Sequence, residues 1–135
     1  MIKFDKNCFK KIEFSEGQIK MYFKSAVRDF KIAKQDNFDE VKFSYCYQAL
    51  IKAGIALIAK KGNVKVRSIP GHHIKILEKM SEIMEMPDIF TIGNAMRMKR
   101  NRDFYDGGEF ISNKEILDYL IFVGDVIKKT KNFLE

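Results

Sequence analysis

The sequence predicts an all-α protein, an antiparallel bundle of four to five helices. Three observations support this class: apolar residues recur every three or four positions over long stretches, two capping boxes open helices, and glycine or proline closes them. No stretch makes a convincing strand. With 135 residues the chain has the length of one domain, residues 1–135.

The first helix begins after an N-terminal arm. Residues 1–14 mix lysine with Ile and Phe, and we expect an extended or loosely packed segment. Ser15 and Gln18 then form a capping box, and Phe14 can pack as the residue before the cap. A core-facing stripe follows at helical spacing, made of Ile19, Tyr22, Phe23, Ala26, Phe30 and Ala33.

The second helix is predicted from about residue 38 to residue 61. Asp36 or Asn37 is available as its cap, and Gly62 is a natural stop. After Phe43 the helix is apolar nearly all round. A helix of this kind lies in the middle of a bundle, with neighbours on several sides.

Three further helices complete the predicted bundle. The third begins near Ser68 and Pro70 and continues to about Met84, and Pro87 separates it from the fourth. The fourth covers about 88 to 104 or 105, before two glycines. A second capping box, SNKE at 112–115, opens the fifth helix, which continues to the end of the chain.

Composition limits the class of function. The formal charge of +7 and the pI near 9.4 favour an anionic partner such as nucleic acid, although many lysine-rich proteins carry such charge without a functional reason. Cys8 and Cys46 have no pattern of a disulfide framework or a zinc site, which suits a reducing cytosol and predicts a cytoplasmic protein. The most hydrophobic run, residues 43–59, contains Lys52 and is too short to span a membrane. We expect no metal and no cofactor.

One stretch, NAMRMKRNRDFYDGG at 94–108, stands out at the end of the fourth helix. At helical spacing its residues Arg97, Arg100, Asn101, Phe104 and Tyr105 share one face, flanked by Lys99 and Arg102. Cations near a helix C-terminus are favoured by the helix dipole, by about 0.3–1 kcal/mol each. Four of them in six residues repel one another, however, and three are arginine, whose planar fork suits phosphate. Asp103 and Asp106 could neutralise part of this charge.

The order of three segments resembles the HEPN superfamily of small helical bundles. RNRDFYD resembles the family's terminal motif, in which an arginine precedes a histidine five positions later. YCYQALIKAGIALIAKKG resembles the central helix, and GHHIKILEKM the next one. The resemblance covers about residues 16–134. It implies a homodimer with the arginine motifs facing across a cleft, and a role as a metal-independent endoribonuclease, a partner of small nucleotidyltransferases in toxin–antitoxin pairs, or a binding module.

The chain departs from the ribonuclease pattern at the histidine. Five positions after Arg100 stands Tyr105, and a phenol with a pKa of about 10 is a poor base compared with imidazole at about 6.5. The tyrosine that is modified in some relatives would fall on Gly107. His72 or His73 could supply a base only through the tertiary or dimer structure, and a histidine pair at a helix start more often caps or packs.

Three hypotheses follow. The favoured one is a non-catalytic HEPN-like dimer that binds a nucleotide, RNA or a partner nucleotidyltransferase through its basic face. This nucleotide- or nucleic-acid-binding face comprises Arg97, Arg100, Asn101, Arg102 and Tyr105. The second is an active endoribonuclease that uses Arg100 with Tyr105 or an adjacent histidine. The third is a helical scaffold whose basic face is merely solvated.

Overall fold

The structure of the protein is a computed structural model that describes residues 2–106 and 111–135; the side chains of residues 102–106 are outside that description. The described parts contain five helices: α1 Glu16–Gln35, α2 Asp39–Gly62, α3 His72–Met84, α4 Pro87–Asp106 and α5 Asn113–Leu134. Two short strands, β1 Phe9–Lys11 and β2 Val64–Val66, complete the elements. The predicted all-α bundle is confirmed.

Helix α2 is the centre of the bundle, as its apolar sequence predicts. Its neighbours α1, α3, α4 and α5 all contact it, and residues on every side of it are buried. Helix α1 runs antiparallel to α2, since Glu16 pairs with Lys60 and Ser25 with Lys52. Helix α4 also runs antiparallel to α2, since Gly93 lies against Leu50 and Arg100 lies over Tyr47. Helix α5 runs parallel to α2. Phe43 near the start of α2 contacts Tyr119 in the first half of α5, and Lys61 at the end of α2 contacts Phe133 at the end of α5.

Both predicted capping boxes are present. The Ser15 hydroxyl accepts from the Gln18 amide while the Gln18 side chain accepts from the Ser15 amide, and Ser112 with Glu115 repeats the arrangement. Helix α2 begins after Phe38 without a side-chain cap. Asp36 instead ends α1, and its carboxylate accepts from the amide of Phe38. Each capping box acts within four residues, which explains why the sequence reveals it, whereas the expected cap of α2 by Asp36 or Asn37 is absent.

Three details differ from the sequence-based prediction, which expected no strand, a loosely packed N-terminal arm and a third helix beginning near Ser68 and Pro70. Helix α3 begins at His72 rather than near Ser68, because Gly71 adopts the left-handed conformation with φ of 76° and ends a turn there. The N-terminal arm is not loosely packed along its length. Residues Phe9–Lys11 pair antiparallel with Val64–Val66, and Phe9 is buried in the core. The strands are three residues long, too short to show alternation in the sequence.

Close packing of α3 against α2 depends on Gly54. A Cβ atom at this position would lie 2.5 Å from the Met80 sulfur and 2.6 Å from Ile76 Cγ2, and both residues are buried. We expect Gly54→Ala to lower the free energy of unfolding by about 1 kcal/mol. Overpacking should cost about 2 kcal/mol, whereas the higher helix propensity of alanine should contribute only about 1 kcal/mol in the other direction. Urea unfolding measures this change.

Gly17→Ala is the matched control for that substitution. Gly17 also lies in a helix, but an added Cβ there would meet only Ser15 Oγ, at 3.7 Å. Stability should stay the same or rise by up to about 1 kcal/mol. Equal effects of the two substitutions would contradict the proposed close contact at Gly54.

Candidate functional site

Helix α4 carries Arg97 and Arg100 at the C-terminal end of the same stripe that faces the core through Gly93 and Met96. Met96 is fully buried, and at Gly93 an added Cβ would lie 2.6 Å from Leu77, so the helix sits close against the core. Arg97 and Arg100 then fall one turn apart toward the surface, where Arg100 is exposed and Arg97 half-buried. Arg97 Nε donates to Asn94 Oδ1 at 2.9 Å, which orients the guanidinium.

Under Arg100 lies the ring of Tyr47 from α2. The guanidinium carbon is 5.5 Å from the ring centroid, within the range of a cation–π contact. Tyr47 itself is almost completely buried, at 1% exposure. Burial raises the pKa of its phenol to about 12, although the charges of Arg100 and Arg97 oppose that rise. The phenol is therefore protonated at neutral pH and available for hydrogen bonding.

The hydroxyl of Tyr47 meets a histidine from a third helix. Tyr47 Oη and His73 Nδ1 are 2.8 Å apart, a hydrogen bond in which one partner donates and the other accepts according to the imidazole tautomer. His72 lies beside His73, with ring centroids 4.5 Å apart, and its Nδ1 is 3.0 Å from the carbonyl oxygen of Ile69. The first turn of α3 thus holds one histidine against the preceding turn and the other against α2.

His73 is the titratable group most altered by this environment. Burial lowers the pKa of its imidazole to about 4, and the nearby His72, Arg100 and Arg97 act in the same direction. At neutral pH the ring is uncharged. We refer to Tyr47, His73, Arg97 and Arg100 as the Arg–His cluster. It combines two fixed positive charges with one neutral imidazole that another charge could readily influence.

The structure places the other predicted site residues differently. Lys99 points toward α5, where its ammonium lies 3.5 Å from Glu115, so this cation is paired. Asn101 is exposed at the surface of α4. Arg102 and Tyr105 belong to α4 by their backbone, but their side chains lie outside the described residues. Of the predicted face, the structure brings Arg97 and Arg100 together with groups on two other helices.

The sequence alone did not identify Tyr47 as a site residue. It favoured a capping or packing role for His73 over a catalytic one. Their signals were weak: Tyr47 stands within an apolar run, and His73 belongs to a histidine pair at a helix start. Tyr47 and His73 are 26 positions apart in the sequence, and His73 and Arg97 are 24 positions apart. Local periodicity carries no information on such separations.

The described residues contain no grouped metal ligands, and both cysteines are buried. Among residues 2–106 and 111–135, no three His, Cys, Asp or Glu side chains are grouped so that they could hold a metal ion. Across the same ranges, no helix is both long and apolar enough to cross a membrane. Cys8 and Cys46 are buried free thiols, and burial raises the pKa of Cys46 to about 12, which leaves it protonated and unreactive.

Fold and site together define an all-α helical bundle with a basic surface cluster that contains a histidine. Comparison with known protein families, curated proteins and solved structures finds no match to this chain.

Proposed function

We propose that the protein binds a phosphate-bearing ligand, RNA or a nucleotide, at the Arg–His cluster. The observation that carries the proposal is that two arginines lie one turn apart on α4, with Arg100 over the ring of Tyr47, whose hydroxyl is hydrogen-bonded to His73. The guanidinium fork forms two parallel hydrogen bonds with phosphate oxygens, and the ring of Tyr47 fixes one face of Arg100 so that less rotamer freedom is lost on binding.

Electrostatics support an anion at this site. Lys99 is already paired with Glu115, whereas the positive charges of Arg97 and Arg100 act on His73 and Tyr47. The overall charge of +7 adds a long-range attraction for polyanions. A phosphate would neutralise the repulsion between the two guanidinium groups.

The proposal extends to the setting suggested by the segments that resemble HEPN proteins. We propose a cytoplasmic homodimer that acts in a toxin–antitoxin-type or nucleotide-related module, with a small nucleotidyltransferase as a possible partner. The five-helix bundle supports this setting, as do the exposed apolar side chains Met98, Leu117 and Ile121, which a second subunit could cover. Light scattering of the purified protein should give twice the mass of the chain. A monomeric mass would contradict the dimer.

The binding experiment measures the affinity of fluorescent single-stranded RNA and of adenosine 5′-monophosphate for the intact protein. We expect Arg100→Ala to weaken binding by about 10–100-fold, the range for a lost charge-assisted hydrogen bond. The dependence of affinity on salt should also decrease, because one phosphate contact is gone.

Arg28→Ala is the matched control, since it removes the same charge from an arginine on α1 whose side chain is 67% exposed. Circular dichroism verifies that each variant keeps the fold. An unchanged affinity of the Arg100→Ala protein would contradict the proposal and favour the plain scaffold.

A metal-independent endoribonuclease is the second candidate, and the position of His73 specifically favours it. The chain lacks a histidine five positions after Arg100, yet α3 supplies an imidazole that the charges of both arginines influence. Its lowered pKa makes the ring a weak base in the free protein, and a bound phosphate would raise that pKa toward the range in which imidazole accepts a 2′-hydroxyl proton. Cleavage of mixed RNA in excess chelator tests this activity. Turnover that is lost in both His73→Asn and Arg100→Ala proteins would support it, whereas intact RNA with all proteins would leave a binding module.

A further inference from the structure

We infer that the ligand of the Arg–His cluster is a phosphate monoester, bound together with a proton taken up by His73. This inference rests on the proposed function and specifies the ligand class: a terminal phosphate, carried either by a free mononucleotide or by the end of an RNA chain. An internal phosphodiester would be the poorer ligand.

The number of donors in the cluster is the first reason. Arg97 and Arg100 provide two guanidinium groups on the same turn of α4, and His73 adds a ring nitrogen from α3. A phosphate monoester presents three terminal oxygens, whereas an internal diester presents two oxygens that are free of carbon. Two arginines and one protonated imidazole therefore match the monoester, with one donor group for each terminal oxygen.

Charge is the second reason. The groups around His73 are His72 on its own helix, Tyr47 on α2, and Arg97 with Arg100 on α4. The described side chains that act on the ring thus bring positive charge and no carboxylate. A monoester dianion carries almost two negative charges at pH 7 and offsets both arginines, whereas a diester carries one.

The hydrogen bond of Tyr47 makes the proton uptake compatible with the buried side of the site. In an imidazolium both ring nitrogens are donors. Nδ1–H can then donate to Tyr47 Oη, 2.8 Å away, so that this ring nitrogen keeps its partner. The other nitrogen becomes a donor for the phosphate. The free protein disfavours this state because of burial and the two arginines, and the arriving dianion removes the second obstacle.

Isothermal titration calorimetry of the full chain tests the inference. Adenosine 5′-monophosphate is titrated at pH 7 in two buffers of different ionisation enthalpy, which gives the number of protons taken up. A dinucleoside monophosphate, which has one internal diester and no terminal phosphate, is the comparison ligand. A 5′-phosphorylated RNA and the same RNA with a 5′-hydroxyl distinguish a chain end from a free nucleotide.

We expect net proton uptake with the mononucleotide and an affinity at least about tenfold higher than for the diester. The His73→Asn protein, which retains a donor near Tyr47, should bind without proton uptake. The wild-type measurement alone decides the matter if that variant does not fold. Binding without proton uptake, or equal affinity for the two ligands, would overturn the inference and leave the proposed function intact. Absence of binding by every phosphate ligand would overturn both.

Discussion

Lys52→Met is expected to lower the free energy of unfolding by about 3 kcal/mol, the lower end of the cost of breaking a buried ion pair, because Arg28 still contacts the same carboxylate. Asp29 on α1 is fully buried, and the ammonium of Lys52 on α2 lies 2.7 Å from its Oδ2. The same ammonium donates a hydrogen bond to Ser25 Oγ at 2.9 Å. Its contact with Asp29 Oδ2 is an ion pair but not a hydrogen bond. Methionine keeps the length of the side chain and removes the charge.

Arg28→Ala is the control for this prediction because the arginine contacts the same carboxylate. Arg28 lies 3.1 Å from Asp29 Oδ1, but its side chain is 67% exposed, whereas that of Lys52 is 29% exposed. Loss of the exposed cation should cost less than about 1 kcal/mol. The double variant Lys52→Met with Asp29→Leu should recover much of the lost stability, since no buried charge remains. Urea unfolding of all four proteins measures these differences. Equal losses for the two cation variants would contradict the assignment.

The second large effect is a loss of stability in mild acid through His73. In the unfolded chain this histidine has a pKa of about 6.5, and in the fold its pKa is lowered to about 4. Between these values the unfolded chain binds more protons than the folded one. The contribution of His73 is thus complete above pH 6.5 and is lost as the pH falls toward 4. A shift of this size corresponds to about 3 kcal/mol for an enclosed group, and we expect about 2 kcal/mol for this half-buried ring.

Urea unfolding from about pH 7.5 to about pH 4 measures this loss as the difference between wild type and His73→Asn. Carboxylates also titrate in the window, and the pKa values of Glu16 and Glu115 are lowered in the fold, so only the difference between proteins isolates His73. His72→Asn is the matched control and should retain most of the pH dependence, because burial is the largest cause of the lowered pKa of His73 and His72 contributes less. If wild type and His73→Asn lose stability in parallel, His73 does not titrate as the structure indicates.

The amino-acid sequence by itself determined the helices and the location of the basic face. Both capping boxes act within four residues, and the apolar character of α2 follows from its own composition, so local physics fixed these features. The spacing of Arg97 and Arg100 is enough to place both on one side of α4, because residues three apart in a helix are neighbours. The start of α3 was misplaced because the turn at Gly71 depends on a positive φ that neighbouring residues did not reveal.

Tertiary structure alone decided what surrounds those arginines. Tyr47 and His73 reach the site from α2 and α3, and their contact depends on how closely α3 packs against α2 at Gly54. The pairing of β1 with β2 likewise joins residues more than 50 positions apart. Periodicity reports which face of an element is buried but not which other element buries it. The sequence therefore determined a basic helix face, and packing of the core turned part of that face into a cluster of arginines, histidine and tyrosine.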